Sequence, residues 1–150
     1  MSVIEITRSQ QRIDELFKLS TGLTPEMSAH WSRYLCILVA GFLEVSLQEV
    51  YSEYSKSRAH PNVVSFVSKT MRGFQNPNMN KISELARSFN SDWAAEIDGE
   101  LSMRDSVNSI LANRHQIAHG KSTDVTVGRL QPWYRDAIRL VDMLRRQCEL

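Results

Sequence analysis

The run Asn113-Arg114-His115-Gln116-Ile117-Ala118-His119-Gly120 holds two of the chain's four histidines beside an arginine. His115 and His119 are four apart and share one helix face, a spacing found in metal-binding helices. The metalloprotease form of that pattern places Glu directly after the first His. Here the position is Gln116, and no further His follows as a third ligand. The sequence therefore points away from metal. Arg114 and His119 offer a different chemistry. A guanidinium is permanently charged and neutralises phosphoryl oxygens. An imidazole moves a proton near neutral pH. Together they suit phosphodiester cleavage. An Arg and a His at this spacing is a weak signal by itself; its position in the last turns of a helix closed by Gly120 gives it weight. Five residues turn a helix by roughly 140° in net angle. One chain is therefore not expected to bring both side chains onto one phosphate. Two copies about a two-fold axis would present both to a shared cleft, which predicts a homodimer.

The elements that must position this segment read as helical nearly throughout. Ile6, Ile13, Leu16 and Phe17 mark a first helix from Val3 to Leu19, broken at Ser20-Thr21-Gly22. Thr24-Pro25-Glu26 opens a second: a capping hydroxyl, Pro at the first position, an acid in the first turn. It runs to about Arg58, with Trp31, Leu35, Leu38, Phe42 and Val45 as a stripe widened by Ile37, Val39 and Leu47. His60-Pro61-Asn62 stops it. Val63, Val64, Phe66, Val67 and Met71 read as a short helix, with a Val-rich strand as the competing assignment. Gly73 to Asn80 is a turn-rich loop. Ile82, Leu85, Ala86 and Phe89 form another helical face, and Asp92 to Gly99 a connector. Ser102 with Asp105 three residues on predicts the start of the motif helix. A polar loop from Lys121 to Asp124 leads to a last helix ending near Gln147, with Pro132 at or near its start. The expectation is an all-α bundle of five to six helices, the second one long, in a single domain spanning 1–150.

Composition bounds the rest. The chain has 150 residues, 42% hydrophobic and 23% charged, which suits one globular domain. Its net charge of +1 sets up no global field for nucleic acid, although 13 of the 18 basic residues are Arg, the better phosphate fork. Cys36 and Cys148 form no CxxC and fit a reducing compartment. The longest apolar run, Leu35 to Leu43, is too short for a membrane span, and the first residues lack the layout of a secretory signal. No strand, glycine loop and helix unit is present for phosphate or dinucleotide binding. The chain is expected to be cytoplasmic, away from membranes and without a cofactor.

The run from Arg114 to Gly120 resembles the Arg-x4-6-His signature of HEPN domains, more narrowly the RiboL-PSP-HEPN group, in which the motif commonly ends Ile-Ala-His-Gly. The helical layout agrees along essentially the whole chain, while only the motif is specific. The resemblance implies an all-α, usually dimeric domain. It implies a metal-independent endoribonuclease in which the RNA 2′-hydroxyl attacks the adjacent phosphorus, leaving a 2′,3′-cyclic phosphate and a 5′-hydroxyl. Arg114 would hold the scissile phosphate and His119 would transfer the proton or orient the 2′-hydroxyl. His115 is the polar residue after the Arg that often assists. A toxin–antitoxin or antiphage setting would add a neutralising partner such as a nucleotidyltransferase-type antitoxin.

Four further assignments stay open in the sequence. Glu44, an acid within the apolar middle of the long helix, either orients His119 or pairs with Arg114, or else faces solvent. Asn113 and Lys121 flank the motif and either contact phosphate or are ordinary surface residues. Arg33 and Arg104 are candidates to line a cleft. Trp31, Tyr34, Trp93 and Trp133 either stack on bases or belong to core and interface. Two readings compete with the ribonuclease: a non-catalytic HEPN module that binds RNA, a nucleotide or a protein, and a plain helical interaction domain in which Arg114 caps helix carbonyls.

Overall fold

The long apolar segment after Thr24 forms the spine around which the other helices gather. The computed structural model describes residues 2–150, and Met1 lies outside it. Among the described residues there are seven helices and no strand: α1 (Ser2–Lys18), α2 (Pro25–Arg58), α3 (Pro61–Arg72), α4 (Met79–Phe89), α5 (Ser91–Asp98), α6 (Leu101–Ala118) and α7 (Val127–Gln147). The all-α expectation holds, with one helix more than the sequence reading counts. The addition is α5, which lies where a connector is expected.

α2 starts as its sequence dictates. The Thr24 side chain accepts the Met27 N–H at 3.2 Å, and Pro25 occupies the first position, where its missing N–H costs nothing. Leu35, Val39, Leu43, Leu47, Val50 and Tyr51 are all buried. α2 packs against α1, α3, α6 and α7, so its apolar residues cover more than one side. By length and composition it would pass as a membrane span, but 56% of its most apolar window is buried inside the bundle, as befits a core helix. Truncating a fully buried residue such as Leu47 to Ala would cost about 2–5 kcal/mol.

Specific polar and aromatic joints set the helix arrangement. The Trp31 indole N–H on α2 donates to the Leu16 carbonyl and to Ser20 Oγ, both at 3.1 Å, tying the end of α1 to α2. Tyr134 on α7 stacks on Phe17, meets Phe42 edge-on, and donates its hydroxyl to Asp14 at 2.7 Å. Tyr51 stacks on Phe89, and Tyr54 meets Phe89 and Trp93 edge-on, which fastens α4 and α5 to the far half of α2.

Three boundaries differ from expectation for identifiable reasons. Asn90 ends α4 and immediately caps α5 through its side chain and the Asp92 N–H at 2.8 Å, so no connector separates the two. Ser102 does not cap α6, which begins after Glu100 without a side-chain cap. Its hydroxyl instead donates to Asp136 on α7 at 2.9 Å. α7 starts at Val127, capped by Thr126, and Pro132 lies inside it, giving up one hydrogen bond toward the exposed Gly128 near the helix start. The segment from Val63 is the helix α3, not a strand.

Candidate functional site

The motif occupies the last turns of α6. That helix closes on Gly120, whose φ of +65° is the left-handed turn that suits glycine. The Gly120 N–H donates to the Ile117 carbonyl at 3.1 Å and the Lys121 N–H to the Gln116 carbonyl at 2.9 Å, the paired bonds of a Schellman ending. His119 is therefore the cap residue, held at the point where the helix turns away.

A cleft of about 560 Å³ opens over this helix end. Its floor is one stripe of α6, made by Asn108, Leu111, Ala112, His115, Ala118 and His119, which recur at helical spacing. Arg114 forms one border of that stripe, and His119 lies near the other, beside Ala112. The angle of roughly 140° between them, read from helix geometry, spans the cleft floor. One chain thus lines one cleft with both residues. The two exposed alanines leave room above the floor. His115 and His119 pack ring to ring, with centroids 4.3 Å apart.

The opposite wall is the loop between α3 and α4, with Asn76 and Asn78, and the first turn of α4, with Asn80. α2 holds this loop through two side chains one turn apart. Gln48 Nε2 donates to the Phe74 carbonyl at 2.9 Å, and Glu44 accepts the Asn76 N–H at 2.8 Å. Asn76 adopts a left-handed backbone, φ 52°, which Asn tolerates better than most residues. Its side-chain oxygen accepts a hydrogen bond from Arg114 Nη1. Arg114 makes no ion pair among the described residues, so the rest of its guanidinium is open to an anion. Arg114 does not cap helix carbonyls. Its charge is felt at the buried Cys36 thiol, where it opposes the larger effect of burial; the thiol is still pushed up to about 11.

The other candidates separate clearly. Glu44 is half-buried and reaches the site through Asn76; its hydrogen bond goes there and not to His119. Asn113 is off the cleft. It donates to the Ser109 carbonyl at 2.8 Å and accepts the Thr123 hydroxyl, pinning the loop that follows the motif. Lys121 lies beyond the cleft, beside Arg33, Ile117 and Gly120 in a small indentation. Arg104 pairs with Asp98 at 3.5 Å. Trp31, Trp93 and Trp133 pack against the core, and Tyr34 is exposed away from the cleft. Among the described residues no three His, Cys, Asp or Glu side chains converge, so a metal held here would have His115 and His119 without a third such ligand.

The four asparagines are what sequence reading missed. Asn108 falls seven residues before His115, two turns along the same face, and that register was legible. The loop asparagines carried only a turn signal.

An all-α bundle with Arg-x4-His at the end of a late helix defines a HEPN-type domain. Residues 7–150 match the family model described as RiboL-PSP-HEPN, and the chain belongs to that family. No curated protein and no solved structure matches it.

Proposed function

We propose that the protein is a metal-independent endoribonuclease acting at the Arg114–His119 cleft. One observation carries the reading: Arg114, His115 and His119 line a single cleft of nucleotide size, and the guanidinium has no carboxylate partner among the described residues. In the reaction, the RNA 2′-oxygen bonds to the adjacent phosphorus as its proton leaves. The bond from phosphorus to the 5′-oxygen breaks, and that oxygen takes up a proton. Arg114 neutralises the charge on the phosphoryl oxygens. His119 is the proton-transfer group, and His115 is close enough to share the transfers. The need for a 2′-hydroxyl excludes DNA as substrate.

We further propose that the working form is a homodimer with the clefts near its axis. Support comes from α2. Met27, Tyr34, Ile37 and Val45 lie on one face of it and are between 40% and 56% exposed. Gly41 interrupts this stripe with no atom within 4 Å of where a Cβ would stand. The stripe runs beside Glu44 and Arg33, which lead to the cleft and to the end of the motif. A defence role with a neutralising protein partner fits the family and completes the proposal.

The test is incubation of the protein and its His119→Ala variant with RNA in EDTA, followed by analysis of fragment ends. Cyclic-phosphate ends from the unaltered protein alone are expected. Cleavage that survives His119→Ala, or that requires a divalent metal, would sink the proposal. RNA binding without any cleavage would favour the non-catalytic module.

A further inference from the structure

Three asparagines that line the cleft are chemically one-sided. The carbonyl oxygen of Asn78 accepts the Lys81 backbone N–H at 2.9 Å, and that of Asn108 accepts the Met79 backbone N–H at 3.0 Å. The oxygen of Asn76 accepts from the Arg114 guanidinium. Each of these partners is only a donor, so the amide atom facing it must be the oxygen. The orientation of all three amides is therefore fixed by chemistry. Their NH2 groups make no hydrogen bond among the described residues, and all three residues are exposed along the cleft. Arg114 adds its remaining guanidinium donors. No Asp or Glu lines the cleft. Asn80, whose side chain has no hydrogen bond among the described residues, can present either atom.

We infer that Asn76, Asn78 and Asn108 act as fixed hydrogen-bond donors that select oxygen acceptors of the nucleotide flanking the one held by Arg114. This rests on the reading of the cleft as an RNA site. A strand has two sources of such acceptors, the next phosphate and the base carbonyls, and three fixed donors suit either. The same three oxygens support the site itself, two by capping the start of α4 and one by holding Arg114. Recognition and support are thus divided between the two ends of each amide.

That division makes the inference separable from folding. Ser caps helices about as well as Asn, so Asn78→Ser keeps the acceptor for Lys81 and removes the NH2 without adding charge. Asn108→Asp keeps the acceptor for Met79, replaces NH2 by oxygen, and places a negative charge near the start of α4, which favours the helix. Both variants are expected to melt at or above the temperature of the parent. Binding is read by fluorescence anisotropy with uncleavable 2′-fluoro RNA. Each variant is expected to bind about tenfold more weakly. For Asn108→Asp the loss should persist at high salt, where long-range repulsion is screened. Strands with neutral methylphosphonate linkages, which lose the charge and one oxygen of each phosphate, and strands with abasic sugars then distinguish the sources: the deficit of Asn78→Ser shrinks on the first if phosphate is read and disappears on the second if base carbonyls are. Affinities equal to that of the parent for both variants would overturn the inference. Weaker binding by the variants, together with no cleavage of all-ribose RNA by the parent, would leave the inference standing and remove the ribonuclease reading instead.

Discussion

Glu44 and Arg114 are linked through Asn76. The carboxylate accepts the Asn76 backbone N–H at 2.8 Å, and the Asn76 side-chain oxygen accepts a hydrogen bond from the Arg114 guanidinium. An acid on α2 thus sets the position of an arginine on α6 without neutralising it by contact. A carboxylate placed against Arg114 would compete with the phosphate for the same donors; an amide oxygen holds one corner and leaves the charge available.

Asn76→Gly separates this positioning role from the fold. Gly keeps the left-handed backbone and the N–H to Glu44 but removes the oxygen that holds Arg114. Stability should change by no more than about 1 kcal/mol. The cleavage rate should fall about tenfold, with little change in RNA affinity beyond one lost donor. Asn76→Asp should restore the contact to Arg114 yet bind RNA worse than the parent, because the new charge competes with phosphate. Single-turnover kinetics beside thermal melts would check both variants.

Gly120 is needed for its backbone and not for space. No atom lies within 4 Å of a Cβ added there, while its φ is +65°. Gly120→Ala should therefore cost about 1 kcal/mol of stability, all of it backbone strain. It should lower cleavage more than that loss explains, since the same turn sets His119. Chemical denaturation and rate measurement on one preparation would test this; an unchanged rate would mean that His119 tolerates a displaced turn.

Charge placed on the α2 stripe should dissociate the proposed dimer. Ile37→Glu and Val45→Lys alter exposed positions, so each monomer should fold with little change in stability. Sedimentation velocity should show the parent as a dimer and the double variant as a monomer. Loss of cleavage along with the dimer would place the partner copy in the working site; full activity in a monomer would show that one cleft suffices.

Asp136 gives the bundle an acid-sensitive joint. Burial pushes its carboxyl up, but the Ser106 and Ser102 hydroxyls and Arg139 outweigh this and hold it below its ordinary value of 3.8. A carboxyl depressed on folding adds stability above its unfolded value, and that contribution is lost as pH falls through the folded one. Asp136→Asn should therefore melt lower than the parent at neutral pH, and the gap should narrow as pH falls below about 4. Melting curves across that range would check it; a constant gap would mean that the hydroxyl contacts and not the charge hold α6 to α7.

The sequence disclosed whatever is local. Thr24-Pro25 marks the start of α2, Gly120 the end of α6, and the helical spacing of Leu35, Phe42 and their neighbours the spine. It also carried Arg114, His115 and His119. What it hid depends on tertiary partners. Ser102 has the form of a helix cap, yet Asp136 on α7 claims its hydroxyl. Asn90 serves two helices at once and so leaves no gap to read. The role of Asn76 follows from Glu44 and Arg114, 32 and 38 positions away, and no local pattern encodes that meeting. Asn113 and Lys121 adjoin the motif in sequence but fall outside the cleft, because neighbours along a helix point in different directions.

The placement of the three tryptophans makes the protein's own fluorescence selective. Trp31 reports on the joint of α1 with α2, Trp93 on the packing of α5 against α2, and Trp133 on the seating of α7, while none of them lines the cleft. Intrinsic emission therefore follows unfolding, and a ligand confined to the cleft would not touch the indoles directly. Occupancy of the cleft needs a label on the RNA. A shift of tryptophan emission upon adding RNA would then signal that the helices themselves have moved.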